Sequence, residues 1–104
     1  MARPTLSTHV LDTTNGRPAA GVAVTLHRGD AVAARGVTDA DGRIRELGAS
    51  LEPGSYRLVF DIGEYFRDGP AFFTRVALDV ELRDGHYHVP LLISRYGCVA
   101  YRGS

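Results

Sequence analysis

Apolar and polar residues alternate along most of this chain with a period of two, the pattern of strands that cover one face and leave the other open. Thr5 to Asp12 sets Leu6, Thr8 and Val10 on one side and Ser7, His9 and Leu11 on the other. Thr14-Asn15-Gly16-Arg17-Pro18 closes this first strand with strong turn chemistry. Val22, Val24 and Leu26 alternate with Ala23, Thr25 and His27 in a second strand that ends at Arg28-Gly29-Asp30, and Ala31 to Thr38 is a weaker, strand-compatible run. Asp39-Ala40-Asp41-Gly42-Arg43 reads as a turn and Ile44 to Leu47 as a short strand. After a turn at Glu52-Pro53-Gly54-Ser55, Tyr56, Leu58 and Phe60 alternate with Arg57, Val59 and Asp61.

From Gly63 to Gly69 the period lapses, and Glu64 to Asp68 suit one or two helical turns ended by Pro70. Val76, Leu78, Val80 and Leu82 then alternate strictly with Arg75, Ala77, Asp79 and Glu81. Asp84-Gly85 turns this strand into His86 to Ser94, and a last short strand follows Gly97. About eight short strands at spacings of roughly 8 to 12 residues predict an all-β domain spanning 1–104, an antiparallel sandwich.

Composition narrows the picture. A chain of 104 residues buries roughly 60 to 70% of its unfolded surface, so it needs neither metal nor disulfide to fold. Twelve basic and twelve acidic side chains cancel, which argues against nucleic acid or an anionic membrane as partner. Cys98 is the only cysteine, so no intrachain disulfide forms and a reducing compartment is the simpler setting. With no cation or second cysteine beside it, Cys98 reads as a buried structural thiol. Met1-Ala2-Arg3-Pro4 leads straight into the first strand, without a signal-peptide pattern or an apolar run of membrane length. A soluble cytoplasmic protein is the expectation.

The faces carry the first hint of function. On the strand from His86, Tyr87, Val89, Leu91 and Ile93 form a core side, whereas His86, His88, Pro90, Leu92 and Ser94 form an outer side that is half apolar and half ionisable. The outer side of the first strand mixes His9 with Leu11 in the same way. Such faces predict cover by another subunit, with the histidines at or near the contact. A one-residue bulge would reverse the assignment. His86-x-His88 with His9 also suits a metal clamp, although no carboxylate or cysteine has an obvious place beside it. His27, and largely His86, read as structural.

Gly16-Arg17-Pro18-Ala19-Ala20-Gly21-Val22-Ala23-Val24-Thr25-Leu26, Thr38 to Arg43 and Pro53-Gly54-Ser55-Tyr56 are common to many sandwich modules. More selective are Leu6-Ser7-Thr8-His9-Val10-Leu11-Asp12, His86-Tyr87-His88-Val89-Pro90-Leu91-Leu92 and the closing Tyr101-Arg102-Gly103-Ser104. Together they resemble the 5-hydroxyisourate hydrolases, the enzymatic branch of the transthyretin family, over essentially the whole chain. Two departures are Gly97-Cys98-Val99-Ala100, where many members are more polar, and Thr74 after Phe72-Phe73, where proline is common.

The resemblance implies a transthyretin-like sandwich of two four-stranded sheets with one short helix, assembled as a homotetramer with active sites at subunit interfaces. It implies hydrolysis of 5-hydroxyisourate to 2-oxo-4-hydroxy-4-carboxy-5-ureidoimidazoline, on the route from urate to allantoin, with no cofactor and no metal. It places His9, Arg43, His88 and Ser104 in catalysis, and His9, Arg43, Tyr101, Arg102 and Gly103 in substrate binding. Without it, Arg43 would not stand out from Arg45. The alternatives are a transthyretin-like ligand carrier, which should lack the His9, Arg43, His88 and tail set, and a non-catalytic sandwich module, which explains the middle of the chain but not its ends.

The chemistry suits these side chains. Opening a cyclic amide requires water to lose a proton as it attacks, charge to build on the carbonyl oxygen, and the ring nitrogen to gain a proton as it leaves. Imidazole performs such transfers near neutral pH, and a guanidinium steadies the oxyanion through paired N–H donors. His9 and His88 are the expected proton carriers and Arg43 the anion holder, with Tyr101 and Ser104 closing the pocket. The residues alone do not say which histidine is the base.

Overall fold

The computed structural model describes residues 3–104; Met1 and Ala2, which open the N-terminal segment read above, lie outside the described residues. Nine strands and one helix follow in the order β1 (Thr5–Asp12), β2 (Arg17–Pro18), β3 (Ala23–Arg28), β4 (Ala31–Val37), β5 (Arg43–Ile44), β6 (Gly54–Asp61), α1 (Ile62–Tyr65), β7 (Val76–Leu82), β8 (His86–Ile93) and β9 (Cys98–Ala100). One sheet runs β2-β1-β8-β9 with β5 also on β1, and the other runs β4-β3-β6-β7. The first sheet therefore has five strands rather than four, because the two-residue β2 and β5 both join β1.

The apolar sets picked out by alternation meet between the sheets. Leu6 and Val10 of β1 and Leu91 and Ile93 of β8 are fully buried, as are Leu26 of β3 and Leu58 and Phe60 of β6. Thr8 shares that inner face and is buried too, its hydroxyl donating to the Val89 carbonyl at 2.6 Å. That bond removes the penalty of an unpaired polar group in the core. From α1, Tyr65 donates its phenol to the buried Asp12 carboxylate at 2.8 Å; burial, followed by that bond, pushes the Tyr65 pKa up to about 12. β7 buries Val76 and Leu82 but leaves Leu78 and Val80 half-exposed, because it is an edge strand.

Three expectations are corrected. The sandwich is not wholly antiparallel, since β1 and β8 run parallel along their full length. No hairpin joins them, and period-two alternation reads the same in either direction, so only tertiary packing decides. The strand expected over Ile44–Leu47 shrinks to Arg43–Ile44, after which Leu47 turns into the core and donates its N–H to the Leu6 carbonyl. Cys98 is exposed rather than buried, because β9 is a three-residue edge with no layer over it in the single chain. Among the described residues, no helix is long and apolar enough to cross a membrane.

The turn before β5 is closely built. The Asp39 carboxylate accepts from the Asp41 and Arg43 backbone N–H groups, both at 2.9 Å, and the Arg43 contact above all holds its pKa below the ordinary value. Gly42 has φ +76°, and a Cβ there would lie 2.3 Å from the Val10 carbonyl oxygen. Both facts demand glycine. Gly42→Ala is therefore expected to destabilise the protein by about 1–3 kcal/mol, read as a lower denaturation midpoint with an unchanged slope.

Candidate active site

The parallel register of β1 and β8 places Ser7 opposite His88 and Thr5 opposite His86, with His9 opposite Pro90. Side chains of one parity leave on the same side, so Thr5, Ser7, His9 and Leu11 share the outer face with His86, His88, Pro90 and Leu92. The Ser7 hydroxyl lies 2.7 Å from His88 Nδ1 and 2.9 Å from His86 Nε2, and the Thr5 hydroxyl lies 2.7 Å from His86 Nδ1. Four side chains thus form one continuous row.

His9 stands one pleat beyond Ser7, roughly 7 Å along the strand. Its Nε2–H donates to the Asp41 carbonyl at 2.9 Å; a carbonyl only accepts, which leaves Nδ1 without the hydrogen in the neutral ring. Antiparallel pairing of β5 with β1 sets Arg43 directly opposite His9. The Asp39–Arg43 turn therefore delivers two things to one edge of the row: a carbonyl that fixes His9 and a half-buried guanidinium. Arg45, two residues on, is exposed.

His88 is held below the ordinary imidazole value of 6.5, first by burial and then by the positive ends of His9, Arg43 and His86, against a smaller upward pull from Ser7. A lowered pKa favours the neutral form of the ring, the form that can take a proton. With Nδ1 occupied by Ser7, its remaining nitrogen is Nε2.

The tail docks on the same strand. After β9, the Gly103 N–H donates to the His88 carbonyl at 2.7 Å, and Gly103 forms an antiparallel bridge with His88. A Cβ on Gly103 would sit 2.7 Å from His88 Cδ2 and 3.3 Å from Pro90 Cγ, so the tail backbone lies against the imidazole. Arg102 goes elsewhere, its guanidinium 4.5 Å above the Tyr87 ring on the inner side of β8. Tyr101 is half-exposed and, with Arg102, lines a groove of about 420 Å³ beside Leu78, Val80, Tyr87 and Val89. Ser104 is exposed at the chain's end. Within one chain, then, His9, Arg43, His88 and Gly103 come together, and Tyr101 and Arg102 turn toward the open edge of the sandwich.

Ser7 was not singled out by sequence reasoning. Its signal was its parity with His9 on the outer face of β1, which acquires meaning only once β1 and β8 are known to pair in parallel. A larger groove of about 950 Å³ lies on the outer face of the other sheet, around Thr25, His27, Arg57 and Asp79, away from the histidine row. Within it, Arg57 and Asp79 form an ion pair at 2.8 Å. Among the described residues, no cluster of three or more histidine, cysteine or acidic side chains is arranged to hold a metal.

One five-stranded and one four-stranded sheet with a helix after β6, and a histidine-arginine row on one outer face, define a transthyretin-like sandwich with a polar site. The profile of the HIUase/Transthyretin family matches residues 6–103. The chain belongs to that family. It is 45% identical to the 5-hydroxyisourate hydrolase of Caulobacter vibrioides, over 95% of this chain and 97% of the relative. The solved 5-hydroxyisourate hydrolase of Klebsiella pneumoniae superposes with a TM-score of 0.90 at 42% identity, covering 96% of this chain and 99% of that one. Sea bream transthyretin, solved in complex with thyroxine, has a TM-score of 0.85 at 28% identity, covering 94% and 93%.

Proposed function

We propose that this protein is a 5-hydroxyisourate hydrolase that opens the six-membered ring of its substrate by metal-free attack of water, yielding 2-oxo-4-hydroxy-4-carboxy-5-ureidoimidazoline. The observation that carries this reading is the convergence of His9, Arg43 and His88 on one outer sheet face, with the neutral form of His88 favoured and its Nε2 unencumbered. The likeness to a transthyretin shows that the sandwich alone does not discriminate a carrier from a hydrolase. The row of histidines with Arg43 supports the hydrolase.

In this mechanism, His88 Nε2 takes a proton from water as the oxygen attacks the ring carbonyl. The Arg43 guanidinium binds the substrate oxygens and stabilises the oxyanion with charged N–H donors. His9, its orientation fixed by the Asp41 carbonyl, holds the water or substrate from the other end of the row. His88 then returns the proton to the departing ring nitrogen. Gly103 forms a wall beside the His88 ring, and Ser104, Tyr101 and Arg102 belong to the tail that closes the pocket once subunits assemble. The protein acts as a cytoplasmic homotetramer of one-domain chains, a second copy covering the outer face where the half-buried Leu11 and Leu92 accompany the histidines, Pro90 being already buried within the chain.

The direct test generates 5-hydroxyisourate with urate oxidase and follows its ultraviolet absorbance with and without the protein. Acceleration over spontaneous decay is expected, and its absence overturns the reading. Gly103→Ala should lower the rate by about 10- to 100-fold, because the added methyl displaces either the tail or the His88 ring from its working position. A melting temperature within a few degrees of the parent would separate lost placement from unfolding.

A further inference from the structure

We propose that Thr5, His86 and Ser7 form a proton relay that sets the tautomer of His88 and moves the proton taken from water on to His86. The inference rests on the reading of His88 as the base and deepens it by assigning two positioning residues, Ser7 and His86, that need not touch substrate.

The physical core is a counting constraint. Ser7 is buried, and its hydroxyl oxygen has two partners, both imidazole nitrogens. A hydroxyl carries one hydrogen, so it donates to only one of the two rings and accepts from the other. The tautomers of His86 and His88 are therefore coupled. In one arrangement His88 Nδ1–H donates to Ser7, Ser7 O–H donates to His86 Nε2, and His86 Nδ1–H donates to Thr5; His88 Nε2 is then a bare lone pair, a base. In the other, Ser7 donates to His88 Nδ1, and His88 Nε2 carries the hydrogen, a donor. Hydrolysis needs the first before attack and the second before departure of the ring nitrogen.

The transfer balances. As Nε2 of His88 gains a proton from water, its Nδ1 proton passes to Ser7 Oγ, and the Ser7 proton passes to His86 Nε2. His88 ends neutral with hydrogen on Nε2, Ser7 ends neutral, and His86 ends as an imidazolium donating to Ser7 and to Thr5. When the leaving nitrogen takes the Nε2 proton, each step reverses and no net proton is lost. The direction of charge movement suits the surroundings, because His88 is half-buried whereas His86 is exposed. The other charged or titratable groups facing the row are His9 of β1 and Arg43 of β5. Arg102 reaches the His86 carbonyl at 3.5 Å, and Asp84 stands in the turn leading into β8. His9 cannot join such a switch, since a carbonyl fixes its Nε2 hydrogen.

The test combines turnover with nitrogen-15 NMR of the histidine rings in the substrate-free protein. Above its titration range the parent should show His88 as the Nδ1–H tautomer; Ser7→Ala should move it to Nε2–H, and Ser7→Thr should restore it. Ser7→Ala should lower kcat on the order of 10- to 100-fold, the scale for losing an outer partner of a working imidazole, with KM within about twofold. His86→Gln retains an acceptor for Ser7 but cannot take up the proton, so it should lower kcat similarly while leaving the His88 tautomer as in the parent. If Ser7→Ala leaves tautomer and kcat unchanged, or His86→Gln turns over at the parental rate, the relay is wrong. A parent that shows the coupled tautomers but no hydrolysis sinks the functional reading alone.

Discussion

His88→Asn is expected to lower kcat for 5-hydroxyisourate by about 10²- to 10⁴-fold, the range for removal of a general base, and to leave the fold intact. Asparagine keeps a polar group of similar reach opposite Ser7 but has no basic nitrogen. The ring also has a pH signature. Burial, then His9, Arg43 and His86, hold its folded pKa below 6.5, so the acid limb of kcat/KM in the parent should lie below that value. The unfolded chain binds this proton more readily than the folded one. Its contribution to stability is therefore unfavourable as pH falls through 6.5 toward the folded pKa and vanishes above 6.5. The asparagine variant should lose that part of the slope of stability against pH. Initial rates and denaturation midpoints across pH 5 to 8 check both, and turnover within a few-fold of the parent would remove His88 from the mechanism.

Much of the sandwich was legible because its strands are amphipathic and well bounded. The alternation around Leu6, Thr8 and Val10 marks the strand Thr5–Asp12 and its buried face, and the same holds for Val76–Leu82 and for the core side of β8. Strand direction was not legible, since alternation has no polarity and 73 residues, Thr13 to Gly85, separate β1 from β8. That omission hid Ser7, whose place beside His88 follows from parallel register alone. Arg43 reached the candidate site only through resemblance, because Arg43 and Arg45 have the same parity and the same chemistry. Cys98 misled for a simpler reason: thiols are usually buried, but a three-residue edge strand offers no layer to bury one.

Arg43→Ala is the second large effect, and Arg45→Ala is its control. The two arginines differ by one pleat in sequence, yet only Arg43 is paired in register with His9, half-buried, and near enough to His88 to depress its pKa. Arg45 is exposed, and its charge acts on the turn carboxylate of Asp39 instead. In the proposed mechanism the Arg43 guanidinium supplies the donors for the developing oxyanion, so its removal should cost on the order of 10²- to 10³-fold in kcat/KM. Lysine restores the charge but not the paired, planar N–H geometry, so Arg43→Lys should recover only part of the loss. Removing that positive charge should also let the His88 pKa rise toward 6.5, moving the acid limb upward in Arg43→Ala but not in Arg43→Lys. Arg45→Ala should keep turnover within about twofold. Equal losses at the two positions would mean that the site responds to general positive charge, and the assignment of Arg43 as the oxyanion holder would fail.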